Sequence, residues 1–267
     1  MTSKTIVTLR ILLFLIACPV ILVFAGPLTK AASPQLGPLL VGTVTSFITL
    51  FLTLLFVRWD RLKLRDVGVG FNAKTVPRLL FGFFIGVALV ILQDLIIYSC
   101  GHVHWVHDGS HASGARVILL LAGYFMLALR EELAFRGYPL FQLQGKWGMW
   151  TALVVIGVVF TMEHTAAGWT WSRSLLGPPL GALLFGLAAL VTRGLAIPLG
   201  IHSAFNFSQW FMGQKEIPGL FRPIVDAGFA DRAEIFGYAS YIVGMLLAAL
   251  AFWLWHQRRA QVRFAGS

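Results

Sequence analysis

The chain has 267 residues, is 58% hydrophobic and only 12% charged, and has a mean hydropathy of +0.79. Soluble domains carry about 25% charge, so a soluble globular fold is excluded. In a soluble protein the net charge of +10 would point to nucleic acid, but here the basic residues flank apolar runs and no docking motif accompanies them, so nucleic acid is not expected as a partner.

A membrane span needs about 20 mostly apolar residues. In chain order such runs fall at 6–28, 36–57, 76–99, from near 115, then at 149–166, 175–192, 195–212 and 235–256. The first has the basic start of a signal peptide, but it is long for one and a second span follows soon after, so a retained helix is expected. The expected fold class is all-α, a polytopic transmembrane bundle of about eight helices, with residues 1–267 forming one membrane domain. Basic residues are densest in "RWDRLKLRD" (58–66), with Lys74 and Arg78 beyond it. The positive-inside rule places that loop in the cytoplasm, and counting crossings puts both termini there too, with Lys146, Arg193 and the Arg258–Arg263 tail. Lys30, Arg173, Lys215, Arg222 and Arg232 then fall outside. The expected location is the inner (plasma) membrane.

Several polar features are expected to be structural. His102, His104, His107 and His111, with Asp108, read as a loosely ordered exterior loop, although such a set has metal-binding potential. Trp147, Trp150, Trp169, Trp171, Trp253 and Trp255 lie near span ends and read as interfacial anchors. Gly82, Gly86 and Gly181 are expected to permit close helix approach. Cys18 and Cys100 show no disulfide or metal spacing.

Ionisable groups at membrane depth are costly and mark function. Four sites qualify: Glu131–Glu132–Arg136, Glu163–His164, His202–Asn206 and Gln93–Asp94. Glu132 and Arg136 are four apart and can pair on one helix face, whereas Glu131 points about 100° away. One carboxylate is thus held while the other is left for work. Glu163 and the Gln93–Asp94 pair read as packing groups. With a turn centred near Gly145, Glu131 lies about 21 Å and His164 about 28 Å from its tip, and His202 about 12 Å in from Gly194. Two carboxylates, two histidines and an asparagine suit hydrolysis. Glu131 can take a proton from water, and His202 and Asn206 can donate to an oxyanion. Alternatively, His164, His202 and Glu131 can hold a catalytic zinc.

Three stretches carry a resemblance. "EELAFR" (131–136) fits E-E-x-x-x-R, "FTMEH" (160–164) fits F-x-x-x-H, and "HSAFN" (202–206) fits H-x-x-x-N. In order and spacing they resemble the CPBP family of CAAX proteases and bacteriocin-processing (Abi) membrane proteins, which includes the type II CAAX prenyl endopeptidase. The resemblance implies an all-helical intramembrane protease, of metallo or glutamate type, with a catalytic core at about 115–212 and a site open to the cytoplasm. It implies that Glu131 and His164 activate water, that His202 and Asn206 form the second half of the site, and that Glu132 and Arg136 support it. The expected function is an intramembrane endopeptidase acting on a membrane-associated peptide or protein, with zinc as the open cofactor question. A proton- or ion-coupled transporter and a noncatalytic immunity or scaffold protein are the alternatives.

Overall fold

The computed structural model describes residues 4–109 and 113–265. Its helices are α1 (Lys4–Ala31), α2 (Gly37–Trp59), α3 (Thr75–Gly101), α4 (Gly114–Glu131), α5 (Tyr138–Trp147), α6 (Met149–Ala166), α7 (Trp171–Thr192), α8 (Ala196–Phe211) and α9 (Ala230–Ala265). Helix dominates because a bilayer offers no water to backbone N–H and C=O groups, and a helix pairs them within one segment. Among the described residues α1, α2, α3, α6, α7 and α9 are long and apolar enough to cross a membrane. The protein is an all-α polytopic membrane bundle. Its outward faces carry side chains such as Phe24, Phe84 and Ile118, 69–80% exposed, as suits lipid.

The two remaining expected spans, α4 and α8, carry the E-E-x-x-x-R and H-x-x-x-N motifs. α8 has only 16 residues, and α4 holds Arg116, Arg130 and Glu131 within 18. Both pack against spanning helices, where α3 forms its most extensive contact with α8, and α2 with α4. Glycine makes the first contact possible. A Cβ at Gly82, Gly86 or Gly200 would strike the carbonyl oxygens of Ile197, Ile201 or Leu79. Gly181, by contrast, faces only the Phe185 ring at 3.3 Å and lines a cavity. Gly86→Val would push α8 away one residue from His202, and it is expected to lower stability by about 1–3 kcal/mol, measurable as a lower unfolding temperature in detergent.

Two expectations are corrected. The fourth helix reaches through the stretch 128–137 only to Arg136 and not as a regular α-helix: α4 gives way after Glu131 to a wide π turn over Glu132–Arg136, the backbone breaks at Gly137, and a separate α5 follows. Gly137 leaves helical geometry (φ −79°, ψ −122°) and Pro139 stands in the first turn of α5, where its missing N–H costs nothing. Nor is the histidine segment a loose loop. β1 (Val103–His107) pairs antiparallel with β2 (Phe221–Val225), with Trp105 opposite Pro223. His102 stacks on Phe229 at 3.7 Å, and His104 lies 3.3 Å from Asp226. His111 falls outside the described residues.

The bundle has two distinct ends. At one, Asp60 accepts from Arg10 and from the Tyr138 hydroxyl (2.6 Å), Leu195 N–H donates to Gly68 O (3.1 Å), and Arg259 donates to Val191 O (2.8 Å). At the other, the β1–β2 ladder is joined by Trp105 to Met212 O (3.1 Å) and Arg232 to Cys100 O (2.7 Å). The α6–α7 connection belongs to this second end, because α6 leaves α5 at the first.

Candidate active site

At the junction of α4 with its π turn, two adjacent carboxylates take different partners. Glu132 and Arg136 are both fully buried, with Arg136 Nη1 3.5 Å from Glu132 Oε1. The guanidinium lies over the Phe160 ring at 4.3 Å and the Phe185 ring at 5.3 Å, so aromatic faces replace part of its lost hydration. The same Glu132 oxygen accepts from His202 Nδ1 at 2.8 Å, and the His202 ring stacks on Phe185 at 4.6 Å. A carboxylate accepts only, so Nδ1 carries the proton and the orientation of the ring is set. Glu132 therefore supports α8 as well as Arg136.

His202 Nε2 is directed toward Glu131, 3.6 Å from its Oε2. That oxygen is buried and has no hydrogen-bond partner among the described residues. Neither neighbouring arginine is given over to Glu131. Arg136 serves Glu132, and Arg130 makes a two-pronged pair with Glu163 (2.5 and 2.9 Å) while also donating to Cys18 O (3.2 Å). This pair links α1, α4 and α6 and explains Glu163 as a packing group.

A cavity of about 530 Å³ adjoins Glu131, His164, His202 and Asn206. The structure thus brings together the four residues expected to work, two of them 71 positions apart on α4 and α8 (131 and 202). Straight-helix counting from Gly145 registers their depths only loosely, because the chain breaks at Gly137 between the π turn and α5. His164 donates Nδ1–H to Phe160 O at 2.9 Å and sits edge-on between Phe160 and Trp169 (4.5 and 4.8 Å). A carbonyl also only accepts, so His164 Nε2 keeps its lone pair. Asn206 Oδ1 accepts from Lys215 Nζ at 2.9 Å, which leaves the amide N–H groups for other partners. Phe160, Leu176, Phe205 and Met245 supply apolar wall, and Tyr241 pins α9 to α7 by donating to Gly177 O at 2.8 Å.

Both histidines use Nδ1–H internally and keep Nε2, a donor chemistry that suits zinc. The spacing does not: among the described residues no three His, Cys, Asp or Glu side chains gather as a metal-ligand set. Gln93 also lines the cavity, and its Oε1 is buried without a partner among the described residues, whereas Asp94 is taken up by Gln214.

Several cavity residues had no legible sequence signal. Lys215 and Arg173 read only as outside charges, and Trp169 only as an anchor, yet all three line the cavity, with Arg173 over the Trp169 ring at 4.2 Å. Burial, with Arg173 nearby, pushes the Lys215 ammonium down to about 8. Lys215 reaches back to Asn206 because the chain turns after α8 at Gly213 (φ +73°), where Gln214 N–H donates to Gln209 O at 2.8 Å and Leu220 N–H to Phe211 O at 3.1 Å. The cavity's outer wall is made by Trp169, Arg173, Gln214, Lys215 and Glu234. All belong to the end that carries the β1–β2 ladder, opposite the loop at 58–74.

Residues 113–208 match the family model described as type II CAAX prenyl endopeptidase Rce1-like, and the matched segment contains all three motifs. Neither a curated protein nor a solved structure matches the chain.

Proposed function

We propose, from the match of residues 113–208 to the Rce1-like family model, that the chain is an intramembrane endopeptidase whose nucleophilic water is activated by Glu131. The observation that carries this is the carboxylate itself: Glu131 adjoins the cavity beside two histidines and an asparagine, while both nearby arginines serve other acids. A water between Glu131 and His164 Nε2 loses a proton to Glu131 as its oxygen attacks the scissile carbonyl. The Asn206 amide donates to the oxyanion that forms, joined by His202 Nε2 when that ring is an imidazolium. The proton then passes to the leaving nitrogen, the C–N bond breaks, and a carboxylate and an amine result. No step is routed through a metal. Substrates are membrane-associated peptides or proteins, reached in the plane of the plasma (inner) membrane, and both termini of the chain are cytoplasmic.

The test compares membrane-protein termini in cells carrying the wild type or Glu131→Ala at equal expression. New termini seen only with the wild type support proteolysis and identify the substrate. Identical sets would remove the protease assignment and turn attention to ion flux and partner binding. Metal content of the purified protein serves as a second arm: about one zinc per chain, lost in His164→Ala, would replace the glutamate mechanism with a metal one.

Lys215 gives this mechanism a pH dependence. Its ammonium holds Asn206 Oδ1, and it faces Arg173, Glu131 and Glu216. With its value lowered to about 8, the charged form is present below that pH and lost above it. Cleavage is expected to fall as pH rises through about 8. Lys215→Met is expected to lower kcat by about tenfold or more and to flatten that alkaline limb. An unchanged limb in Lys215→Met would show that Lys215 does not set it.

A further inference from the structure

We propose that Gln93 on α3 binds the substrate backbone: its side-chain carbonyl accepts the N–H of a peptide unit close to the scissile bond. The word substrate rests on the proteolytic assignment above.

Helix register places Gln93 beside the site. A Cβ at Gly82 would strike Ile197 O, and one at Gly86 would strike Ile201 O. α3 and α8 therefore run in the same direction, at an offset of 115 positions (82 against 197, 86 against 201). Gln93 stands seven residues beyond Gly86, two helical turns on, and so on the same face of α3. The same offset puts it opposite Ser208, two residues past Asn206, or about 3 Å along the axis. Gln93, Asn206 and Gln209 all line the cavity. Gln93 lies outside residues 113–208, so the family match does not include it.

Its chemistry is that of an unused acceptor. Oε1 is buried and has no hydrogen-bond partner among the described residues. The polar groups around it are engaged elsewhere. Asp94 accepts from Gln214, Tyr241 donates to Gly177 O, Ser240 to Gly237 O, and Lys215 to Asn206 Oδ1. Leu89, Phe205 and Met245, also beside Gln93, have no side-chain donor. A helix packed for stability alone would carry an apolar residue here, because a buried acceptor without a donor weakens the fold. Binding sites keep such groups, since the ligand supplies the partner.

The partner must be a donor, and a peptide chain offers one at every residue except proline. A carboxamide also carries two donors of its own, so it suits both ends of a peptide unit and adds no charge. With Asn206 donating to the oxyanion, an extended substrate advances about 3.3 Å per residue. The unit that reaches Gln93 is then within about two residues of the cut. A grip on backbone tolerates varied side chains and rejects proline at that unit.

The test is cleavage, in detergent, of a synthetic peptide spanning the cut identified by the termini comparison, measured beside the unfolding temperature. Gln93→Leu is expected to unfold at or above the wild-type temperature, because leucine suits Leu89, Phe205 and Met245. Its KM is expected to rise about tenfold with kcat within about twofold, as for an interaction shared by ground and transition states. Each peptide N–H near the cut is then replaced in turn by an ester oxygen, which removes the donor and keeps the shape. One such ester is expected to raise the wild-type KM about tenfold and to leave that of Gln93→Leu within about twofold. Esters that cost both proteins alike would overturn the proposal, as would an unchanged KM in Gln93→Leu or a loss confined to kcat. Lower unfolding temperatures in both Gln93→Leu and Gln93→Met would make Gln93 a structural group and overturn it too. A wild type that cuts no peptide would remove the protease assignment, and this proposal with it. A wild type that cuts, with Gln93→Leu equal to it, would overturn this proposal alone.

Discussion

Glu131→Gln is expected to lower cleavage by about a thousandfold or more while leaving the protein folded and inserted. Glutamine keeps the shape of the side chain but cannot take a proton from water. The fold makes little use of the charge at this position: Oε2 has no hydrogen-bond partner among the described residues, and the nearest cation, on His202, depends on that ring being protonated. The unfolding temperature in detergent is therefore expected to stay within a few degrees of wild type. The decisive readout is kcat on a substrate identified from the new termini, measured beside the unfolding curve. Full activity in Glu131→Gln would remove this residue from the chemistry. Lost activity with a collapsed unfolding temperature would make it a structural acid instead.

The second large effect concerns stability. Arg130 is 1% exposed and is held by both oxygens of Glu163, with a further bond to the Cys18 carbonyl. Removing one partner of a buried pair leaves the other charge uncompensated, at about 3–5 kcal/mol, whereas replacing both with apolar groups of similar size is close to neutral. Arg130→Met is thus expected to unfold at a much lower temperature, and Arg130→Met with Glu163→Leu to recover most of the loss. The double variant is the informative one. If it were as unstable as the single variant, the damage would come from packing around α1 and not from the stranded carboxylate. A single variant within about 1 kcal/mol of wild type would mean that the pair does not hold α1, α4 and α6 together. Cleavage per folded molecule is expected to change little, because Arg130 does not line the cavity.

Glu132 differs from Glu163 in what depends on it. It holds Arg136 and the Nδ1–H of His202 with the same oxygen, so its loss would both strand a guanidinium and release the ring that faces Glu131. The spacing of Glu132 and Arg136 made the first contact legible from the sequence. The second joins residues 132 and 202, and no local pattern encodes it.

The amino-acid sequence by itself determined where the long apolar helices lie and which of their residues carry polar chemistry. Both are local properties. A bilayer forces an apolar run to satisfy its own backbone, so run length reports the helix. A four-residue spacing puts His202 and Asn206 on one helix face, whatever lies opposite. Tertiary structure decided what no local pattern records. The helical backbone that begins with α4 breaks at Gly137, and Pro139 stands in the first turn of the separate α5, but the widening to a π turn over Glu132–Arg136 has no local signal. Residues 103–107 and 221–225 form strands only because the helices bring two distant connections to one end. The turn after α8 returns Lys215 to Asn206, where both line the cavity. Which arginine meets which glutamate is likewise settled by the side chains that three helices place within reach. Pairing across a bundle depends on helix rotation and depth, and a one-dimensional pattern of polarity leaves both undetermined.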